Sequence, residues 1–335
     1  MMVDKFLDNT KEDLLQDWDF TRGSFTSSGI LSPWYVTGIS DAEDSFQISI
    51  QEIKGKGLTG YKPFLEFKIT QKNYSVGILF EIQKYFKCGR INIDNRKTST
   101  MKFVVTNNQD LINKVIPHFD KYSLITSKYL NYINFRSATY IMKDKLHYNL
   151  NGINMLKDIK SDMNKSRLFK DKYDFCWSKN IILEPEWIEG FIDGEGSFQC
   201  EMNLPINNLD IGYIDRKDSK NSVNFSLQIK QNNHDVAVLN AIKKFFQYGY
   251  LKPKYDIKNI EATLNAPRDT TALWIRNFEV VCRFIDQYPL YTVKRLDYLD
   301  WKRLISLKKI NAHLTSEGLN IMKKIKSNMN TNRFT

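Results

Sequence analysis

The chain is read as an α+β protein made of two copies of one unit, and three observations point there. The 335 residues leave room for two domains. A set of spaced residues recurs once along the chain, and strand-like segments alternate between apolar and polar side chains in both copies. Pro33, Gly38, Asp41, Glu43, Ser45, Phe46 and Gln47 recur as Pro185, Gly190, Asp193, Glu195, Ser197, Phe198 and Gln199, an offset of 152. The offset then grows to 160, where Gln71, Asn73, Val76, Ile82, Lys84, Phe86 and Gly89 recur as Gln231, Asn233, Val236, Ile242, Lys244, Phe246 and Gly249. It ends at 166, with Tyr122, Leu124, Thr126, Lys128 and Leu130 matched by Tyr288, Leu290, Thr292, Lys294 and Leu296. An offset that only grows puts the extra residues of the second copy between elements, around 205–222 and 255–270, where insertions cost little. The division expected is an N-terminal extension over 1–29, a first repeat over 30–164, a charged linker over 165–186 and a second repeat over 187–335.

Each copy opens on a helix, from after Pro33 to about Glu43 and from after Pro185 to about Glu195, since proline suits a first helical turn. Gly196 is expected to end the second helix through the left-handed backbone that glycine tolerates; the first copy has Asp44 there, which would adopt it at some cost. Two strands follow. Phe46, Ile48 and Ile50 alternate with Gln47, Ser49 and Gln51, and Leu65, Phe67 and Ile69 alternate with Glu66, Lys68 and Thr70. The second copy repeats the pattern with Phe198, Cys200 and Met202, then Phe225, Leu227 and Ile229. A helical region, two more strands and closing helices complete each copy. One sheet face is dry and packs on helices; the other is polar and open to solvent.

Composition narrows the function. Lys and Arg number 49 against 38 Asp and Glu, a net charge of +11 that favours a polyanion as partner. With 42% hydrophobic residues the chain is globular, and no apolar run is long enough to span a bilayer. Four scattered cysteines and four histidines without metal-ligand spacing indicate neither a zinc site nor a disulfide framework. The richness in Asn, Lys, Ile, Tyr and Phe fits an A/T-biased coding sequence, and the acidic first 22 residues are unlike a transit peptide; an organelle-encoded protein, of a mitochondrion or another organelle, is expected.

The chemistry sits at the helix ends. Gly38 with Ala42 and Gly190 with Gly194 place small residues four apart, so the two opening helices can pack backbone to backbone. Glu43 and Glu195 then fall at helix C-termini, where a negative charge meets the negative end of the helix dipole at a cost of about 0.3–1 kcal/mol. A lone glutamate at such a place is ordinarily a solvated residue. Duplication on one interface points instead to a bound hard cation, which takes carboxylate oxygens. Asp41 and Asp193, about 200° away around the helix, are assigned a structural hydrogen-bonding role.

The segments Val36-Thr37-Gly38-Ile39-Ser40-Asp41-Ala42-Glu43-Asp44 and Ile188-Glu189-Gly190-Phe191-Ile192-Asp193-Gly194-Glu195-Gly196 resemble the two signature motifs of the single-chain LAGLIDADG homing endonucleases, and the similarity runs from about residue 30 to 333. The resemblance implies two αββαββα halves about a pseudo-twofold axis, saddle-shaped sheets in the DNA major groove, and hydrolysis of one phosphodiester on each strand by metal-activated water. It implies Glu43 and Glu195 as metal ligands, with two or more Mg2+ ions for which Ca2+ or Mn2+ can substitute. Gln71 and Gln231, which break the apolar parity of their strands, would order water near the metals, and Lys254, matched by Asp94 in the first copy, would be the central basic residue. On the polar strand faces, Gln47, Gln51, Lys68, Thr70, Gln199, Asn203, Gln228, Lys230 and Arg276 suit base edges, whereas Lys54, Lys56, Lys62, Lys97, Lys252 and Lys258 suit phosphates. The expected partner is a long, asymmetric duplex DNA target, bound by a monomer. The rival reading is an RNA maturase, with intron RNA as partner, or a catalytically degenerate DNA-binding protein of the same fold. Asp44, where the family has glycine, is the departure that puts cleavage in question; it could add a ligand, raise the neighbouring carboxylate's pKa or mark a copy drifting from activity.

Overall fold

The computed structural model describes residues 18–19, 24–25, 29–53, 59–167, 181–203, 222–254, 269–330 and 333. The expected N-terminal extension, most of the linker, both insertions and the phosphate candidates Lys54, Lys56 and Lys258 lie largely or wholly outside them.

The first half begins with helix α1 (Pro33–Glu43), which runs without a loop into strand β1 (Asp44–Glu52). Strand β2 (Tyr61–Lys72), helix α2 (Val76–Phe86), and strands β3 (Arg90–Asn95) and β4 (Thr100–Val105) follow. A π-helical stretch over Leu111–Val115 leads into α3 (Ile116–Lys121), and α4 (Lys128–Lys143) and α5 (Leu150–Ser161) close the half. The second half repeats this order with α6 (Pro185–Glu195), β5 (Gly196–Asn203), β6 (Ser222–Asn232), α7 (Val236–Phe246), β7 (Tyr250–Pro253), β8 (Thr270–Ile275), α8 (Phe278–Gln287), α9 (Lys294–Lys309) and α10 (Ser316–Ser327). Helix α6 starts at Pro185, inside the stretch read as linker.

The sheets are antiparallel and four-stranded, in the orders β1-β2-β4-β3 and β5-β6-β8-β7. Phe46 stands opposite Phe67, and Phe198 opposite Leu227, so the alternation read from sequence turns one face of each sheet towards its own apolar core. Helices cover that face: Phe135 of α4 lies 5.2 Å from Phe46, ring to ring, and Trp301 of α9 lies 5.4 Å from Phe198. At the end of each half a duplicated asparagine ties helix to sheet. Asn164 donates to the Phe46 carbonyl and Asn330 to that of Phe198, each at 3.0 Å.

The two halves meet along α1 and α6. A Cβ on Gly38 would overlap the Trp187 carbonyl, one on Gly190 the Tyr35 carbonyl, and one on Gly194 the Ala42 methyl. Small side chains on this line let the two backbones touch. The expected left-handed helix ends are absent. Asp44 has φ −82° and ψ 168°, and Gly196 has φ −69° and ψ 149°, because each helix unwinds directly into an extended strand. Asp44 therefore carries no left-handed strain. What favours glycine at 196 is space, since a Cβ there would lie 2.7 Å from the Ile192 carbonyl oxygen.

Candidate active site at the helix seam

Because α1 and α6 touch along their length, their C-terminal glutamates come together at the end of the seam. Glu43 and Glu195 are both half-buried, and this burial raises both carboxyl pKa values; the charge of Glu195 raises that of Glu43 further. Two ammonium groups oppose this. Lys294 and, more weakly, Lys128 pull both carboxyls down, and Gln231 adds a side-chain hydrogen bond to Glu195. Lys294 is half-buried, and the loss of water around its ammonium lowers its own pKa, while Glu43 and Glu195 raise it.

These lysines stand at the N-termini of α4 and α9, in the segments Thr126-Ser127-Lys128 and Thr292-Val293-Lys294. The Lys128 ammonium donates to the Ser40 carbonyl at 3.1 Å, and that of Lys294 to the Ile192 carbonyl at 3.5 Å and to the Gly194 carbonyl. A cation on the last carbonyls of a helix satisfies orphan acceptors and the dipole together. The site role of both lysines went unread in the sequence although the repeat had matched them; their Thr-x-Lys spacing, identical in both copies, was the available signal.

Asp41 and Asp193 anchor those segments. Asp41 accepts from the Ile125 and Thr126 amides at 2.8 and 3.0 Å, from the Thr126 hydroxyl at 2.6 Å and from the Trp187 indole at 2.8 Å. Asp193 accepts from the Tyr291 and Thr292 amides, the Thr292 hydroxyl and, at 2.6 Å, the Tyr35 hydroxyl. Each aspartate thus binds the loop that delivers its own lysine, and takes one hydrogen bond from an aromatic side chain of the opposite half.

Asp44 is engaged with Lys128 and not with the glutamate pair. Its side chain is fully enclosed, 3.5 Å from the Lys128 ammonium, and burial pushes its pKa up to about 7. Among the described residues no three His, Cys, Asp or Glu side chains converge as a metal cage, and the ionic partner of Asp44 is Lys128. The oxygen donors at the seam are the two glutamates and the helix-end carbonyls. They are hard, crowded and mutually repelling, which fits a hard divalent cation that would share its remaining positions with phosphate.

The other expected residues divide. Gln231 reaches Glu195, but the equivalent Gln71 leaves its amide nitrogen buried and without a hydrogen-bond partner. Lys254 follows the edge strand β7, where its amide donates to the Thr270 carbonyl at 2.9 Å, and the cations that bear on the glutamates are Lys294 and Lys128. On the sheets, Gln47 donates to Ser45 at 3.2 Å and Gln199 to Ser197 at 2.7 Å, a duplicated pair. Lys68 lies 3.4 Å from Asp94, the Arg276 guanidinium stands 5.1 Å from the Tyr250 ring centre, and Gln51 and Lys230 are exposed. Thr70 is half-buried; Asn203 belongs to β5, but its side chain lies outside the description. Gln228, expected on the open face, is only 7% exposed. It lines, with Ser197, Gln199, Lys230, Lys326 and Asn330, a cavity of about 380 Å3 that also reaches Glu195.

Two αββαββα halves joined through paired helices, with one acid from each at the seam, define a pseudo-symmetric, two-centre protein. The sequence model of the LAGLIDADG endonuclease family matches residues 36–139 and again 188–305, and the chain belongs to that family. It is 27% identical over 319 residues to a probable intron-encoded endonuclease 3 of Neurospora crassa, covering 91% of this chain and 56% of the relative. With a probable intron-encoded endonuclease Cox1-I1b of Schizosaccharomyces pombe it shares 26% identity, covering 92% and 74%. The chain spans just over half the length of the first of these relatives. Among solved structures it is similar to the homing endonuclease I-SmaMI bound to cleaved DNA, with a TM-score of 0.75, 25% identity, and coverage of 92% of this chain and 100% of the other. Homing endonuclease I-LtrWI bound to target DNA matches with a TM-score of 0.73 and 27% identity, over 90% and 98%.

Proposed function

We propose that the chain is a site-specific endonuclease that cuts both strands of a duplex DNA target, with Glu43 and Glu195 as ligands of divalent metal, magnesium being the expected ion. The observation that carries this reading is the meeting of two half-buried glutamates at abutting helix C-termini, where burial raises both carboxyl pKa values and the charge of Glu195 raises that of Glu43 further. Bound metal would supply Lewis-acid stabilisation of the phosphate and a water of lowered pKa. The chain's own residues do the remainder. Asp41 and Asp193 hold the loops that aim Lys128 and Lys294 at the seam, and these ammonium groups offset carboxylate charge before DNA arrives. During cleavage they face the charge that develops on phosphate oxygens, where preorganised cations are most effective. Gln231 orients one Glu195 oxygen. The basic role expected of Lys254 passes in this reading to Lys128 and Lys294, leaving Lys254 a phosphate contact.

The polar sheet faces would read the DNA, with Gln47, Gln51, Thr70, Gln199, Asn203, Lys230 and Arg276 towards base edges and Lys68 shared with Asp94 until DNA competes for it. Two halves differing at nearly every one of these positions suit an asymmetric target and a monomeric protein. An intron-encoded origin accords with the likeness to probable intron-encoded endonucleases of Neurospora crassa and Schizosaccharomyces pombe, and a place in an organelle with the A/T-biased composition.

The test is incubation with a randomised duplex library in magnesium and sequencing of the cut ends, then Glu43→Gln and Glu195→Gln proteins on the recovered target. Wild type should cut and each variant should bind in calcium with little change yet lose at least about 100-fold in cutting rate, the scale of a lost charge-stabilising group. Calcium-supported binding with no magnesium cutting by the wild type would favour the same fold acting only as a binder, on DNA or on intron RNA.

A further inference from the structure

The two helix ends are equivalent by the repeat, Ser40 to Ile192, Ala42 to Gly194 and Asp44 to Gly196, yet their lysines are held differently. Lys294 spans two backbone carbonyls, those of Ile192 and Gly194. Lys128 takes the first carbonyl of the equivalent pair, that of Ser40 at 3.1 Å, and its other partner is the Asp44 carboxylate at 3.5 Å. Asp44 has neither oxygen in a well-aligned hydrogen bond and none of its side chain exposed, so this ammonium is the main compensation for its charge. In the second half Gly196 leaves nothing of the kind. Lys294 is also the larger cationic influence on both Glu43 and Glu195, with Lys128 behind it.

We infer that Asp44 is a positioning residue: it retains the Lys128 ammonium on the first motif helix and neutralises it there, so the two half-sites carry unequal positive charge and the two DNA strands are cut at unequal rates. The inference rests on the endonuclease reading given above. Lys294 is held by neutral carbonyls and keeps its charge for a transferring phosphate; Lys128 has first to leave a buried carboxylate that has little else to satisfy it.

Two measurements test this. Thermal unfolding without DNA or metal, run as a double-mutant cycle over Asp44→Asn and Lys128→Met, should show strong coupling: Lys128→Met lowers the midpoint by several degrees in the wild-type background and by much less in the Asp44→Asn background, where a neutral amide replaces the carboxylate. Additive shifts would overturn the pairing. On a target recovered from the library, with each strand end-labelled by a different dye, wild type in magnesium should cut one strand about tenfold faster, the factor given by ~1.4 kcal/mol of transition-state stabilisation. Asp44→Gly should bring the ratio towards one by speeding the slow strand, and Asp44→Glu should keep it. A wild type that cuts both strands equally, or an Asp44→Gly ratio that does not move, would overturn the inference while leaving the endonuclease reading intact. A wild type that cuts neither strand defeats the endonuclease reading and the strand claim together, and the unfolding cycle still decides whether Asp44 holds Lys128.

Discussion

Glu189 shows how much a single position can depart from its repeat. It occupies the place of Thr37, whose hydroxyl lies 3.2 Å from His118 and donates to the Tyr122 carbonyl at 3.0 Å. Glu189 is instead a carboxyl only 5% exposed, and burial, with the charges of Asp193 and Glu186, pushes its pKa up to about 9. A carboxyl pKa higher in the folded than in the unfolded chain, where it is 4.5, favours folding below about pH 4.5 and loses that advantage as pH rises towards 9. Glu189→Gln removes the titration. The variant should be more stable than wild type above pH 5, with a difference that widens by up to about 1.4 kcal/mol per pH unit. Urea unfolding of both proteins at pH 5, 6, 7 and 8 measures it, and a constant difference would show that Glu189 is not buried in this way. At this scale the sequence was informative wherever the copies agree. Asp41 and Asp193 were separable from Glu43 and Glu195 by angle around the helix, and their hydrogen bonds to Thr126 and Thr292 explain why those threonines are duplicated too. The reciprocal donors Trp187 and Tyr35 escaped reading because they match in position but not in residue type.

At the scale of elements, the strands and the motif helices were legible because burial imposes a period, and a period survives in a single sequence. Phe46, Ile48, Leu65, Phe67 and Ile69 are all buried, as their alternation requires. The helix ends were misread. Glycine after a helix usually signals a left-handed turn, but here the chain enters the sheet at once, and Gly196 is needed for closeness to Ile192. Closeness also governs the seam. The atoms that a Cβ on Gly38 or Gly190 would strike are backbone atoms of the opposite helix, which cannot rotate aside. Gly38→Ala and Gly190→Ala should each therefore cost more than about 2 kcal/mol, towards the upper end of overpacking penalties, despite alanine's better helix propensity. Chemical denaturation measures this directly. An alanine variant as stable as wild type at either position would mean that the helices are not in backbone contact.

For the whole molecule, the repeat established two halves and the helix seam that joins them but not the contacts beside it, since a comparison of copies sees what they share and the asymmetric contacts lie where they differ. Beside the glutamates, the Asp235 carboxylate of the second half accepts from the Ser127 amide at 2.7 Å and the Ser127 hydroxyl at 2.9 Å. Ser127 is the N-cap of α4, so one half supplies the anion that closes a helix of the other. The equivalent residues are Ser75 and Val293, and there Val293 packs with Tyr74, whose hydroxyl also feels the charge of Asp297. A carboxylate caps the helix on one side of the seam, and a valine packed on a tyrosine takes its place on the other. Lys128 follows Ser127 directly, so Asp235 also fixes the segment that carries a cation to the site. Asp235→Ala should cost about 1–2 kcal/mol, as for a lost helix cap, and the damage should appear across the interface. Hydrogen exchange should quicken at the amides of Ser127 to Leu130, far from residue 235 in sequence, while Val293 to Leu296 in the other half keep their protection. Faster exchange confined to the neighbourhood of residue 235 would mean that the two halves are joined at the motif helices alone.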